Sequence, residues 1–120
     1  MKKINSTLCI SLLLATLVSC KKESIIEYNC AGITPTYDGE IKAILNTHCA
    51  TSGCHNASSK KAGINLSDYT NAKNESLNDR FLGSVQHLKG YDDMPKGESK
   101  LDEATIQKLY CWVQNGSPQN

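Results

Sequence analysis

Cys49-Ala50-Thr51-Ser52-Gly53-Cys54-His55 places two thiols and an imidazole within seven residues, with the second thiol directly before the imidazole. Three chemistries are open to such a run. The thiols can form thioethers to a prosthetic group whose metal the imidazole ligates, they can join His48 and His55 in a tetrahedral metal site, or they can close a small disulfide ring. The spacer is small and polar and contains Gly53, so it can bulge outward while the two thiols and the imidazole act together. Which chemistry holds decides what the rest of the chain folds around.

The chain has 120 residues, enough for one small domain and not for two. It is 39% hydrophobic and 6% aromatic, with one Trp and one Phe. Upstream of the Cys-His run, Tyr37, Ile41, Ile44 and Leu45 repeat at helical spacing, and Thr36 or Asp38 can cap a helix reaching Thr47. His48 continues that stripe. Downstream, Ser67 is placed to cap a short helix through Asp68, Tyr69 and Ala72, and Asn78 or Asp79 to cap another carrying Phe81, Leu82, Val85 and Leu88, with Gly90 as terminator. Asp102 opens a last helix with Ile106, Leu109, Tyr110 and Val113 on one face, Trp112 beside them and Gly116 at the end. No alternating strand pattern of useful length occurs. The expected fold is all-α, with four or five short helices and long loops, too little regular structure for a strong core without a prosthetic group or staples.

Met94-Pro95 is the second chemical element, 39 residues beyond His55. A thioether in a polar loop, with Asp92 and Asp93 before it and Lys96, Gly97 and Glu98 after it, reads as a ligand rather than a core filler. Pro95 fixes the backbone there.

This order of parts resembles a small class I c-type cytochrome domain of bacteria: a helix (IKAILNTHC), an attachment run, a mid-chain helix, a Met-Pro loop (DDMPKG) and a last helix (DEATIQKLYCWVQNG). The usual attachment pattern is C-x-x-C-H, and here the spacer has four residues, a C-x4-C-H variant found in some multihaem cytochromes. The resemblance spans Asp38 to Pro118. It implies a cytochrome c-like fold and one covalent haem c, bonded through Cys49 and Cys54. His55 is then the proximal iron ligand, Met94 the distal one, and Trp112 packs near the haem. His87 competes with Met94, but on a helical wheel it lies about 150° from the centre of the Phe81 stripe, so it should face away from the core. His48 then has a structural role. In such domains the first and last helices touch, which brings Cys30 and Cys111 within reach of a disulfide, with free thiols as the alternative. The implied function is electron transfer without turnover of a substrate, between redox proteins of the cell envelope. The haem would also supply the apolar centre that so few aromatic residues leave short.

The N-terminus reads as an address. Met1-Lys2-Lys3 is followed by an apolar run from Leu8 to Val18, the length of a signal sequence rather than of a membrane span. Leu17-Val18-Ser19-Cys20 resembles a bacterial lipobox, which implies cleavage before Cys20, acylation of Cys20 and loss of Cys9. The expected organisation is a signal peptide at 1–19, a lipidated Cys and short tether at 20–35, and the haem domain at 36–120. Two acyl chains suffice for stable membrane attachment. Lys21 after the acylated Cys favours the outer membrane. Cleavage removes Lys2 and Lys3, leaving eleven basic against twelve acidic residues and a net charge of −1. Scattered basic residues at that balance exclude a nucleic-acid-binding reading.

Two other readings stay open. A disulfide-stapled structural or binding lipoprotein would bond Cys49 to Cys54. A zinc module would draw all four ligands from His48, Cys49, Cys54 and His55, although zinc sites usually take them from two separated pairs.

Overall fold

Polar side chains placed just ahead of apolar periodic runs set the helices. In this computed structural model, which describes residues 21–120, the chain is all-α, with no strand among the described residues. The expected signal peptide, Cys9 and the acylation site Cys20 lie outside the described residues. A wide π-helical turn at Tyr37–Ile41 leads into α1 (Lys42–His48), followed by α2 (Tyr69–Ser76), α3 (Asp79–Val85) and α4 (Glu103–Gln114). No described helix is long and apolar enough to cross a membrane.

Thr36 accepts a hydrogen bond from the Gly39 N–H, Asn78 from Arg80 and Asp102 from Thr105, as the sequence predicts. Such caps contribute about 1 kcal/mol each. The cap of α2 is Asp68 rather than Ser67: its carboxylate accepts from the Asn71 N–H and side-chain amide and from Asn65, and these bonds hold its pKa below the usual range. A carboxylate serves better here because it accepts from the Asn71 N–H at the helix end and from two side-chain amides, and answers the positive end of the helix dipole. The end of α3 also differs from expectation. Val85 closes the helix, and His87, at φ +54, makes the left-handed turn three residues before Gly90.

The core forms where these helices converge. Ile41, Leu45, Ile106, Leu109 and Trp112 are completely buried. Trp112 lies 6.4 Å from Tyr37 and 6.3 Å from Phe81 between ring centroids, and Tyr37 lies 5.4 Å from Tyr69. The buried face of α4 is rotated from the expected stripe, taking in Cys111 and Trp112 while Val113 is only half-buried. The reason is the C-terminal turn: the Trp112 Nε1–H donates to the Pro118 carbonyl, and Tyr37 and Asp38 donate backbone N–H groups to Pro118 and Gln119. Burying the indole on that side satisfies its only donor. Aromatic and aliphatic side chains of the chain thus form one buried core.

The segment from Lys22 to Ile33 departs most from expectation. The short tether expected here is a strap laid across α3 and α4, without regular secondary structure from Lys22 to Cys30 and turning at Ala31–Gly32. The buried Gln86 side chain accepts from the Ile26 N–H (2.8 Å) and donates to the Ile26 carbonyl (2.9 Å). Glu23 and Lys89 exchange two hydrogen bonds, from the Glu23 N–H to the Lys89 carbonyl (2.9 Å) and from the Lys89 N–H to the Glu23 carboxylate (2.7 Å). Gln107 donates to the Asn29 carbonyl, and a disulfide joins Cys30 to Cys111 across 81 residues.

Candidate functional site

The Cys-His run begins where α1 ends. The Cys49 and Ala50 N–H groups both donate to the Leu45 carbonyl, closing the helix and turning the chain outward. Thr51 to Cys54 are exposed, so the four-residue spacer does bulge into solvent. Gly53 adopts φ +77 at the tip, and its N–H donates to the Ser59 hydroxyl. The His55 N–H then returns to the Cys49 carbonyl at 3.0 Å, which brings both cysteines and the histidine onto one closed loop.

Within that loop the three side chains differ. Cys54 is exposed, and Cys49 is buried. Burial pushes the Cys49 thiol up to about 12, and the neighbouring Cys54 adds to the shift, so Cys49 stays protonated at neutral pH. Neither is in a disulfide. His55 is 8% exposed, and its Nδ1–H donates to the Lys61 carbonyl at 3.1 Å. A carbonyl can only accept, so the proton sits on Nδ1 and the Nε2 lone pair is free of any hydrogen bond among the described residues. This is the pattern of a metal-ligating imidazole, fixed in ring orientation and tautomer by a backbone acceptor.

Lys61 reaches this position through a cramped turn. Lys60 and Ala62 adopt φ +41 and +55, and the Lys61 N–H donates back to the Cys54 carbonyl at 2.9 Å. Two non-glycine residues in the left-handed region cost energy that the surrounding hydrogen bonds hold in place. Nothing in the sequence marked Lys61. Its role rests on a backbone carbonyl, which side-chain identity does not report. The following Leu66 N–H donates to the His55 carbonyl at 2.7 Å, tying the loop to a buried leucine.

Met94 lies on a second loop, anchored to α3 rather than to the His55 loop. Its N–H donates to the Ser84 carbonyl at 3.1 Å, the Met94–Pro95 peptide is cis, and Pro95 is buried while Met94 is half-buried. No hydrogen bond joins the two loops among the described residues. His87 donates its Nε2–H to the Met94 carbonyl at 3.0 Å, and its Nδ1 lies 3.9 Å from the Asp93 carboxylate. The imidazole that the sequence offered as a rival distal ligand therefore has its Nε2 occupied in holding Met94.

Of the other expected residues, Trp112 shares the buried core cluster with Cys49, and His48 directly precedes Cys49. Trp112 is enclosed by Tyr37 and Phe81 in the core. His48 is half-buried at the last residue of α1. Among the described residues no three His, Cys, Asp or Glu side chains converge as a metal-binding group. Two surface clefts follow the strap, one lined by Lys22, Leu77 and Tyr91 and the other by Ile25, Leu82 and Tyr110, and neither reaches His55. No family model, curated protein or solved structure matches the chain.

Proposed function

We propose that this chain is a lipid-anchored electron carrier of the cell envelope with a cytochrome c-like fold and one covalent haem c. The observation that carries the reading is His55: a buried imidazole next to a free exposed thiol, with Nδ1 committed to the Lys61 carbonyl and Nε2 open. The donor set fits the group. Among the described residues Cys49 and Cys54 are the two thiols left free when Cys30 and Cys111 pair, and they would provide two points of thioether attachment on one closed loop. His55 would hold the iron from the proximal side and Met94 from the distal side, a pairing that raises the reduction potential relative to two imidazoles. The haem iron would take up and release one electron. The chain's part is to fix the His55 ring through Lys61, to hold the Met94 backbone through Ser84 and His87, and to keep both loops against a rigid helical core.

Cys20 as an acylated N-terminus would place this carrier on a membrane beside its redox partners.

A second reading, a disulfide-stapled lipoprotein without haem, draws on the aromatic core and on the Cys30–Cys111 bond in place of the Cys49–Cys54 ring expected for it, since Cys49 and Cys54 are unbonded. One experiment decides between them. Expressed with a haem-c maturation system, the wild-type chain should retain haem through a denaturing gel and show a low-spin spectrum. Cys54→Ala should reduce this to a single thioether or abolish it, and His55→Ala should lose the low-spin spectrum. A wild-type chain that carries no covalent haem would overturn the proposal in favour of the second reading.

A further inference from the structure

The strap is most tightly held where it enters the domain. A Cβ on Gly90 would come within 2.8 Å of the Lys22 Cγ and 3.0 Å of its Cα, so Lys22 lies directly on this glycine, whose φ is +91. The Tyr91 ring covers Gly83 of α3 in the same way, 2.5 Å from where a Cβ would stand, and Lys22 Nζ sits 4.8 Å from the centre of that ring. Beyond Lys22 the strap is pinned at Glu23 by Lys89, at Ile26 by Gln86 and at Cys30 by the disulfide. Pinning every third or fourth residue leaves this segment no slack.

Cys20 is two residues before Lys22, a span of at most about 7 Å. An acyl group on Cys20 must therefore emerge beside Gly90 and Tyr91. The surface there suits a bilayer boundary. Leu77 and Ile26 are the large hydrophobic side chains exposed among the described residues, at 78% and 45%. Leu77 lines one cleft with Lys22 and Tyr91 and the next with Ile25 and Glu27, the neighbours of Ile26. An aliphatic side chain, a tyrosine and snorkelling lysines are what the headgroup region accepts. Asp79 lines both clefts and Glu27 the second, so the face is of mixed charge and its contact is apolar rather than electrostatic.

We infer that the face formed by Lys22, Leu77 and Tyr91, with the Lys89 backbone bonded to Glu23 at its edge, lies against the lipid headgroups, so that the strap holds the domain in one orientation instead of letting it swing on a tether. This rests on the acylation of Cys20 proposed above. The occupant is the bilayer surface itself, because the anchor and the exposed apolar side chains arrive at the same corner.

Lys89 gives the test, since it is 69 residues from Cys20 in sequence and reaches the membrane only if the strap is docked. The full lipoprotein is bound to vesicles of phosphatidylethanolamine and phosphatidylglycerol, treated with a water-soluble amine-acylating reagent, and mapped by mass spectrometry against a soluble Cys20→Ala chain. Lys89 should react severalfold more slowly on vesicles than in solution. Gly90→Ala, which pushes Lys22 off its seat, should restore the reactivity while vesicle binding persists. Leu77→Glu, at an exposed position that leaves folding intact, should restore it in part. A chain that floats with vesicles yet shows Lys89 equally reactive in both states overturns the orientation and leaves the anchor standing. A chain that does not float overturns the anchor and the orientation with it.

Discussion

The Cys49–Leu66 loop and the Lys22–Ile33 strap are both irregular segments laid on the same helical core, but they are held in opposite ways. Every hydrogen bond of the loop closes within a few residues or returns from Leu66 to His55, and its geometry comes from Gly53, Lys60, Ala62 and Gly63 in the left-handed region. The strap carries no regular secondary structure from Lys22 to Cys30, and its bonds reach Gln86, Lys89, Gln107 and Cys111, 60 to 81 residues away. A segment organised locally keeps its shape when the global fold loosens, whereas one organised at long range reports directly on the core. The proposed cofactor chemistry sits on the first kind and the proposed membrane contact on the second.

The largest break in this comparison should come from the disulfide. Cys30→Ala, or reduction of the oxidised protein, removes a cross-link closing a loop of about 80 residues, for which the chain-entropy model gives between 4 and 5 kcal/mol. The urea midpoint should fall by that equivalent, and amide exchange should rise first between Glu23 and Ile33. Amides of the Cys54–Lys61 turn should keep their relative protection. Loss of protection in the turn before the strap would show that the loop, too, depends on long-range contacts.

His87→Ala should act more weakly and on the second loop alone. Losing the bond to the Met94 carbonyl costs about 1 kcal/mol. In haem-loaded protein the thioether-to-iron absorption of the ferric state should weaken while the His55-dependent low-spin character of the reduced state remains. His87→Gln, which keeps a side-chain N–H donor, should recover part of the band. If His87→Ala instead abolishes the low-spin spectrum in both oxidation states, His87 is itself the ligand and Met94 is not.

This contrast also separates what could be read in the sequence from what could not. Caps at Thr36, Asn78 and Asp102 and the spacing of Phe81, Leu82, Val85 and Leu88 were legible because each is a local signal whose partner lies within one or two turns. The Cys-His run was legible as a local loop for the same reason, since the His55 N–H closes onto the Cys49 carbonyl. Gln86 was not legible as a clamp: an amide side chain inside a helix end has no local cue that its partner is the backbone of Ile26. The rotation of α4 toward Trp112 followed from Pro118, which the α4 periodicity does not include. The helical-wheel position of His87 does not apply, because α3 ends at Val85 and His87 lies in a left-handed turn that Gly90 made easy to assign to the wrong residue.

The smallest expected effect tests a pin of the strap that depends on protonation. The Tyr28 hydroxyl donates to the Glu103 carboxylate at 2.5 Å. Partial burial, this bond and the charge of Glu103 raise the Tyr28 pKa to about 12, and the same bond, aided by Lys100, lowers that of Glu103. A raised phenol pKa means that the folded state holds its proton more tightly than the unfolded one. Its contribution is therefore complete below the ordinary tyrosine value of 10.0 and disappears as the pH rises through about 12. The lowered carboxylate works at the other end: its contribution is present above its ordinary value of 4.5 and is lost as the pH falls through the folded value. Both partners support the bond only between those limits. Because the pair is solvent-accessible, Tyr28→Phe should lower the Tm by no more than about 3 °C at neutral pH. Its melting temperature should also fall less steeply than wild type above pH 10, converging with it near pH 12. Parallel pH profiles for the two proteins would mean that the strap is held at this point by packing of Tyr28 on Tyr110, 5.6 Å away between centroids, and not by the hydrogen bond.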